Sequence, residues 1–378
     1  MDNKSPIRIA FAAGGTGGHV FPSIATALAV RRARADAALL FIGRETGMER
    51  DMAAEADIPY AAVTSAPFPS KSPIAIAKFL WRMGQGTRQA KRVLREFAAT
   101  AVMGAGGYAS APAIIAAAKL GIPCAIHEQN AIPGRANLFL SKRVDRVFVS
   151  FPGTDAGFAN CHTVLTGLPV RDAFIHPPTR QQARDRLDIA PDARVLLITG
   201  GSQGALALNK MVWESLPALT ARRWTVLHLC GQQGIDEAGR VSAALPDSRS
   251  YRPVAFTTDM AVYMAAADVA LSRSGASSVA ELACIGLPSI LIPYPYSPTG
   301  DQKANAARLA DVNAAIMVEQ QDLTQQRLLE IIDSLSPDKL NAMSTAARSL
   351  AMPDAADRAA AQLIEMSDGA ASDDAPSK

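Results

Sequence analysis

Short apolar runs alternate with longer stretches of helical periodicity along most of the chain. Ile7–Ala12, Ala38–Gly43, Tyr60–Thr64, Thr100–Gly104, Pro123–His127 and Arg146–Ser150 are nearly continuous in apolar or small residues. That is the pattern of strands covered on both faces. Between them, Val20–Arg34, Pro73–Phe97 and Ala111–Leu120 read as helices. Strand–helix alternation predicts a doubly wound parallel sheet, whose right-handed crossovers bring the loops after the strands to one edge, where ligands bind. Around Leu165 the pattern breaks into Thr166-Gly167-Leu168-Pro169-Val170-Arg171 and then His176-Pro177-Pro178, the composition of a linker. A second α/β series follows, with strands at Val195–Thr199, Thr225–Cys230, Ser250–Val254, Val269–Ser272, Ser289–Pro293 and Ala315–Val318. Past Met352-Pro353, the alanine-rich stretch Ala355–Met366 reads as a helix that crosses back to brace the first domain. The small polar residues Ser367–Lys378 read as a disordered tail. The predicted division is 1–166 with 353–366, 167–352, and the tail 367–378.

Each half carries a glycine-rich loop where its first strand turns into a helix. These are Gly14-Gly15-Thr16-Gly17-Gly18-His19 and Gly200-Gly201-Ser202-Gln203-Gly204-Ala205. Such a turn lets backbone approach a ligand closely and aims helix N–H groups at an anion. Two of them predict two similar domains facing a cleft, with a phosphate-bearing substrate between. The first loop is a poor dinucleotide fingerprint, because GxGxxG spacing is absent and Glu45 is a weak ribose partner. It runs instead into His19, where the helix dipole disfavours an imidazolium, so His19 is either a neutral base or a residue packing the turn.

Three further segments end strands on the same edges. Arg273-Ser274-Gly275-Ala276-Ser277 opens a helix that carries Glu281 one turn in. That carboxylate suits a ribose diol, or merely complements the helix dipole. The proline-rich loop Pro293–Gly300 leads to Asp301 and Gln302, which are helix caps or holders of sugar hydroxyls. In the first half, His127-Glu128-Gln129-Asn130 places four polar side chains at a strand end, more than scaffolding needs.

Composition narrows the class. The 378 residues exceed one ordinary core, and a net charge of +3 does not imply nucleic-acid binding. The four cysteines are far apart, with no CxxC pair, and read as core residues in a reducing compartment. Neither a signal-peptide core nor a run of about 18 apolar residues is present. Residues 71–95 stand out differently. Lys71, Lys78, Arg82, Arg88, Lys91, Arg92 and Arg95 are interleaved with Ile74, Ile76, Phe79, Leu80, Trp81 and Met83, without one acidic residue. This is the pattern of an interfacial helix, or of an ordinary amphipathic one, and exposure of Ile74–Trp81 separates the two.

Taken in order, GGTGGH, GGYxS (Gly106–Ser110), HEQNAIPG (His127–Gly134), GGSQGA and SGAxSxxE (Ser274–Glu281) make the chain resemble the MurG family over roughly residues 7–366. These are GT-B type N-acetylglucosaminyltransferases of bacterial peptidoglycan synthesis. The resemblance implies two Rossmann-like doubly wound domains. It also implies inverting transfer of N-acetylglucosamine from UDP-N-acetylglucosamine to the MurNAc 4-hydroxyl of undecaprenyl-diphospho-MurNAc-pentapeptide, lipid I, giving lipid II. It implies no cofactor and a peripheral place on the cytoplasmic face of the inner membrane. Thr16, Gly17, Gly18, Asn130, Arg171, Ser202 and Gln302 match donor-binding positions. The helix start at Ala276 and Ser277 belongs with them, Phe256 matches the reader of uracil and Glu281 the ribose ligand. His19 matches a base or acceptor-site residue, and Glu128 is the second candidate base. Two positions depart from the family pattern: Leu168 stands for a usual asparagine before the linker proline, and Arg135 for a usually apolar residue. No Asp-x-Asp element occurs, so helix dipoles rather than a metal are expected to meet the diphosphate. The alternatives are another GT-B lipid glycosyltransferase, a UDP-sugar 2-epimerase, or a UDP-sugar-binding regulator without turnover.

Overall fold

The computed structural model describes residues 7–67, 72–200, 205–297 and 299–373. The chain divides into two compact units, Met1–Arg171 with Met352–Lys378, and Asp172–Ala351. The linker stays with the first unit through Arg171. Gly167 N–H donates to the Val149 carbonyl at 3.2 Å, and the Arg171 guanidinium stacks 4.4 Å from the Phe21 ring centroid.

The first unit holds a seven-stranded sheet of β1 (Arg8–Ala12), β2 (Ala38–Gly43), β3 (Tyr60–Ala62), β4 (Ala101–Gly104), β5 (Cys124–Glu128), β6 (Arg146–Val149) and β7 (Thr163–Leu165). All pairs are parallel, in the order β3-β2-β1-β4-β5-β6-β7. Its helices are α1 (Gly17–Ala33), α2 (Met48–Glu55), α3 (Pro73–Phe97), α4 (Gly107–Leu120) and α5 (Arg135–Leu140). The period of two explains why the strand sequences are apolar throughout. Ile9, Phe11, Leu39, Phe41 and Met103 enter one core layer with Val20, Ala27 and Val30 of α1. Their neighbours Ala10, Ala12, Leu40, Ile42 and Val102 enter the opposite layer, with Ala90 and Leu94 of α3 and Ala113, Ile114 and Ala117 of α4. Strand β7 is absent from the sequence reading, because three half-covered edge residues carry too little periodicity to register.

The second unit holds β8 (Arg194–Thr199), β9 (Trp224–Leu229), β10 (Tyr251–Val254), β11 (Val269–Ser272), β12 (Ser289–Leu291) and β13 (Ala315–Met317). These are also all parallel, in the order β10-β9-β8-β11-β12-β13. Around them lie α6 (Asp172–Ile175), α7 (Arg180–Arg186), α8 (Leu206–Ala221), α9 (Ile235–Ala243), α10 (Met260–Ala266), α11 (Ala276–Ile285), α12 (Asp301–Ala310), α13 (Gln325–Asp333) and α14 (Pro337–Ser349). Leu196, Ile198, Val226, Leu271 and Ile290 pack with Val212 and Leu216 of α8 and Ile331 and Ile332 of α13.

The last helix, α15, runs Ala355–Asp373 and rejoins the first unit, where Ala356, Ala359, Leu363 and Met366 enter the layer beside α1. The expectation of disorder from Ser367 onward is corrected. Ser367 is buried, and its Oγ lies 2.6 Å from Thr100 Oγ1, so the sequence that reads as a tail begins as a packed turn of α15, whose helix runs to Asp373; residues 374–378 lie outside the described residues.

In each sheet the first strand and the strand beyond its crossover lie side by side: β1 beside β4, and β8 beside β11. At such a switch point the two following helices leave on opposite faces and open a crevice at the carboxyl ends of the strands. The two glycine loops, Gly106–Ser110 and Arg273–Ser277 follow these four strands, while His127–Asn130 ends β5 and the proline-rich loop follows β12.

Candidate active site

In the first unit the crevice is built from the ends of β1, β4 and β5. Helix α1 starts at Gly17 behind Thr16, and no side chain caps it. Thr16 is half-buried, Gly17 buried and Gly18 half-buried, so backbone N–H groups rather than side chains form this helix mouth. Gly15 has φ +104°, a backbone that only glycine adopts without strain.

His19 stands in the first turn of α1, half-buried. Its Nδ1 lies 3.2 Å from Gln129 Oε1. Its pKa falls below the usual imidazole value because burial penalises the charged ring. The Glu128 carboxylate and the hydrogen-bonding contacts of Gln129 and Ala105 oppose this. The ring is therefore neutral at pH 7, with burial as the leading cause. Nε2 faces the Cα of Gly107, where a Cβ would lie 3.6 Å away; Gly107 has φ +69° and cannot readily carry one.

Glu128 and His127 lie beneath. Glu128 is almost fully buried, and its carboxylate is fully engaged. Oε1 accepts from the Asn130 backbone at 2.9 Å and from Asn130 Nδ2 at 3.4 Å. Oε2 accepts from the Gly134 backbone at 2.9 Å and from Asn137 Nδ2 at 2.8 Å. It folds the 128–134 loop upon itself and holds the half-buried Asn130 at the rim. His127 donates from Nε2 to the Gly167 carbonyl at 3.0 Å, and burial lowers its pKa to about 4. Of the two candidate bases, His19 has Nε2 beside Gly107 at the start of α4, whereas using Glu128 would unmake its loop. Arg171, half-buried and stacked on Phe21 two residues after His19, sets a cation beside the start of α1.

In the second unit, β11 ends at Ser272 and α11 opens at Ala276, its N-terminus again without a side-chain cap. Ala276 is buried. Ser277 Oγ is buried without a hydrogen-bond partner among the described residues. Glu281 is half-buried one turn further along α11. Gln302, at the start of α12, ties two loops together: its carbonyl accepts from Ser274 Oγ at 2.8 Å, and its Oε1 accepts from the Tyr294 N–H at 3.0 Å. Asp301 accepts from Ser297 and Thr299 and holds the loop before α12. Phe256 follows β10 with 68% of its surface exposed, an apolar ring in water. Ser202 lies outside the described residues.

Four residues that build these sites escape the motif reading. Gln129 is quoted in a motif but given no role. Asn137, ten residues from His127, donates to its carbonyl at 3.1 Å; nothing local in the sequence signals that pairing. Asn305 is buried and donates to the Ser274 carbonyl at 3.3 Å; it stands one turn after Asp301 on α12, a spacing that does mark it. Arg273 is a buried cation held by the carbonyls of Ile292 and Pro293 and by Gln320 Oε1, with Tyr294 over its guanidinium at 5.6 Å.

Known proteins share this arrangement. The family model for the glycosyltransferase family 28 N-terminal domain matches residues 9–149, and that for the family 28 C-terminal domain matches 195–359. A Bacillus licheniformis protein described as UDP-N-acetylglucosamine–N-acetylmuramyl-(pentapeptide) pyrophosphoryl-undecaprenol N-acetylglucosamine transferase is 36% identical over 357 residues, 93% of this chain and 96% of that protein. The crystal structure of Acinetobacter baumannii MurG superposes with a TM-score of 0.76 at 30% identity, covering 95% of this chain and 100% of that one. A Neisseria meningitidis UDP-GlcNAc 2-epimerase bound to UDP-GlcNAc shares the fold alone, with a TM-score of 0.65 at 13% identity, covering 95% of this chain and 98% of that one. Two parallel-sheet units with their motifs at the switch points, matched along nearly the whole length, mean that this chain has the GT-B fold and belongs to glycosyltransferase family 28, among the MurG N-acetylglucosamine transferases.

Proposed function

We propose that this enzyme transfers N-acetylglucosamine from UDP-N-acetylglucosamine to the MurNAc 4-hydroxyl of undecaprenyl-diphospho-MurNAc-pentapeptide, converting lipid I to lipid II. The observation that carries the chemistry is His19, neutral and half-buried at the uncapped mouth of α1. As the acceptor oxygen attacks the anomeric carbon, its proton passes to His19. The bond from that carbon to the diphosphate oxygen breaks, UDP leaves, and the configuration inverts. The second unit reads the donor: Glu281 takes the ribose diol, Phe256 the uracil edge by its backbone, Gln302 the sugar hydroxyls. The N-terminus of α11, with Ala276 and Ser277, meets the charge that grows on the departing diphosphate. In the first unit's own crevice, Thr16, Gly17, Gly18, Asn130 and Arg171 are the residues that take part in donor binding.

The acceptor is lipid-linked, yet no helix among the described residues is long and apolar enough to cross a membrane. Helix α3 supplies the contact. Its buried residues, Gly86, Thr87, Ala90 and Leu94, all lie in its second half. In the first half, Ile74 is 81%, Leu80 62% and Trp81 65% exposed, beside exposed Lys78 and Arg82. An amphipathic helix that only covered its sheet would bury those apolar side chains. Helix α5, which like α3 packs on α4, adds exposed Leu138 and Phe139 next to Lys142 and Arg143. These features support a peripheral enzyme on the cytoplasmic face of the bacterial inner membrane.

The test is incubation with labelled UDP-N-acetylglucosamine, with and without lipid I. Lipid II and UDP should form together, and only with the acceptor present. His19→Ala should lower kcat about 10²- to 10⁴-fold, the usual contribution of a general base, while UDP binding is kept. Release of an epimerised sugar nucleotide without acceptor, or binding with no turnover, would refute the assignment.

A further inference from the structure

Gln129 is 3% exposed at the end of β5, and both ends of its amide are committed. Nε2 donates to the Ala105 carbonyl at 2.7 Å, and Oε1 meets His19 Nδ1 at 3.2 Å. Ala105 is itself held by its N–H to the Ala12 carbonyl at 2.9 Å, so the amide is referred to the end of β1, from which the His19 loop departs. A carbonyl only accepts, so the Ala105 end must be the amide nitrogen, and the end facing His19 must be the oxygen. An oxygen there requires a proton on Nδ1. In the neutral ring the lone pair then sits on Nε2, beside the Cα of Gly107.

We propose that Gln129 is a positioning residue that fixes the tautomer of His19, with hydrogen on Nδ1 and the proton-accepting lone pair on Nε2. This rests on the reading of His19 as the base. The partner's chemistry matters as well as its place. A carboxylate at this point would fix the same tautomer but favour the imidazolium and raise the ring's pKa. The neutral amide orients the ring and leaves it a base of lowered pKa that is free of its proton at pH 7. Burial leads in setting the ring's charge, and the titratable groups that act on it are Glu128 and His127, both on β5.

Two measurements test the assignment. The first is the nitrogen spectrum of ¹⁵N-histidine-labelled protein, with His19 assigned by loss of its signals in His19→Ala. Wild type should show a protonated Nδ1 and a bare Nε2, and Gln129→Met should show the two tautomers mixed. The reverse tautomer in wild type, or an unchanged spectrum in Gln129→Met, overturns the proposal without reference to activity. The second is kinetic. Gln129→Met should lose about 10- to 100-fold in kcat, a part of the general-base contribution, with the KM for UDP-N-acetylglucosamine within about twofold. Gln129→Glu should keep the tautomer and move the acidic limb of the kcat–pH profile to higher pH. Should Gln129→Met not fold, judged by circular dichroism and UDP binding, Gln129→Glu alone decides, and an unmoved acidic limb overturns the proposal. Normal kcat in His19→Ala together with the expected spectrum would instead refute His19 as base and leave the tautomer assignment standing.

Discussion

Glu281 shows how the role proposed for a single residue rests on its place in an element. An acid in the first two turns of a helix is ordinary, and so is half-burial. What sets Glu281 apart is that α11 starts at the switch point of the second sheet, behind a turn of small residues that leaves the backbone approachable. Loss of a hydrogen bond to a charged group costs about 1.5–3 kcal/mol, so Glu281→Ala should weaken UDP-N-acetylglucosamine roughly 10- to 100-fold. Titration calorimetry reads this directly, and unchanged affinity would remove Glu281 from the donor site. At this scale the sequence shows which residue types stand at strand ends. It does not show their partners: Glu128 suits a base from its neighbours in the chain, and only the folded loop, with Asn130 on Oε1 and Gly134 and Asn137 on Oε2, shows its oxygens to be occupied.

Helix α3 is the element whose sequence leaves two readings open and whose burial separates them. The interleaved basic and apolar residues fit a core-covering helix or a membrane-facing one equally. Burial divides the helix: its second half packs on α4 and the sheet, while Ile74, Leu80 and Trp81 project into solvent, which favours the membrane-facing reading. Phe79 is only half-buried and is in part a packing residue, so the informative change is Leu80→Ser with Trp81→Ser. Wild type should bind vesicles containing anionic lipid, and salt should weaken that binding, since each basic side chain near the surface contributes about 1 kcal/mol. The double variant should lose most of it while keeping its transfer activity toward a detergent-soluble acceptor. Equal partitioning of the two folded proteins in a flotation assay would exclude this helix as the contact.

At the scale of the whole molecule, buried neutral histidines link both units to pH. His127 titrates at about 4 and His228 at about 3, both held down by burial. His228 is enclosed in a complete network, with Tyr251 Oη at 2.9 Å from Nδ1 and Asn209 Oδ1 at 3.0 Å from Nε2. A folded pKa below the unfolded value of about 6.5 means that the unfolded chain binds protons first as pH falls. Stability contributed by these groups is therefore complete above about pH 6.5 and declines toward their folded pKa values, by on the order of 3 kcal/mol for His127 and about 5 kcal/mol for His228. Urea unfolding should show a lower midpoint at about pH 4.5 than at about pH 7, and His127→Asn should flatten the dependence of the first unit. A slope unaffected by that substitution would mean that His127 is not a buried neutral group.

The sequence alone determined the layered architecture and most strand positions, because strands covered on both faces must be apolar at every position and the chain records this locally. It determined the strand-end motifs for a similar reason: close backbone approach and helix mouths demand glycine and small residues in contiguous runs. The tertiary structure decided which of those residues act on one another. Gln129 reaches Ala105 and His19, Asn137 reaches His127 and Glu128, and Ser367 reaches Thr100 across distances in the chain that no local pattern encodes. It also decided which stretch of α3 is covered and which is left in water. Hydrogen-bond partners and exposure are set by where distant segments pack, whereas periodicity records only that a face needs covering.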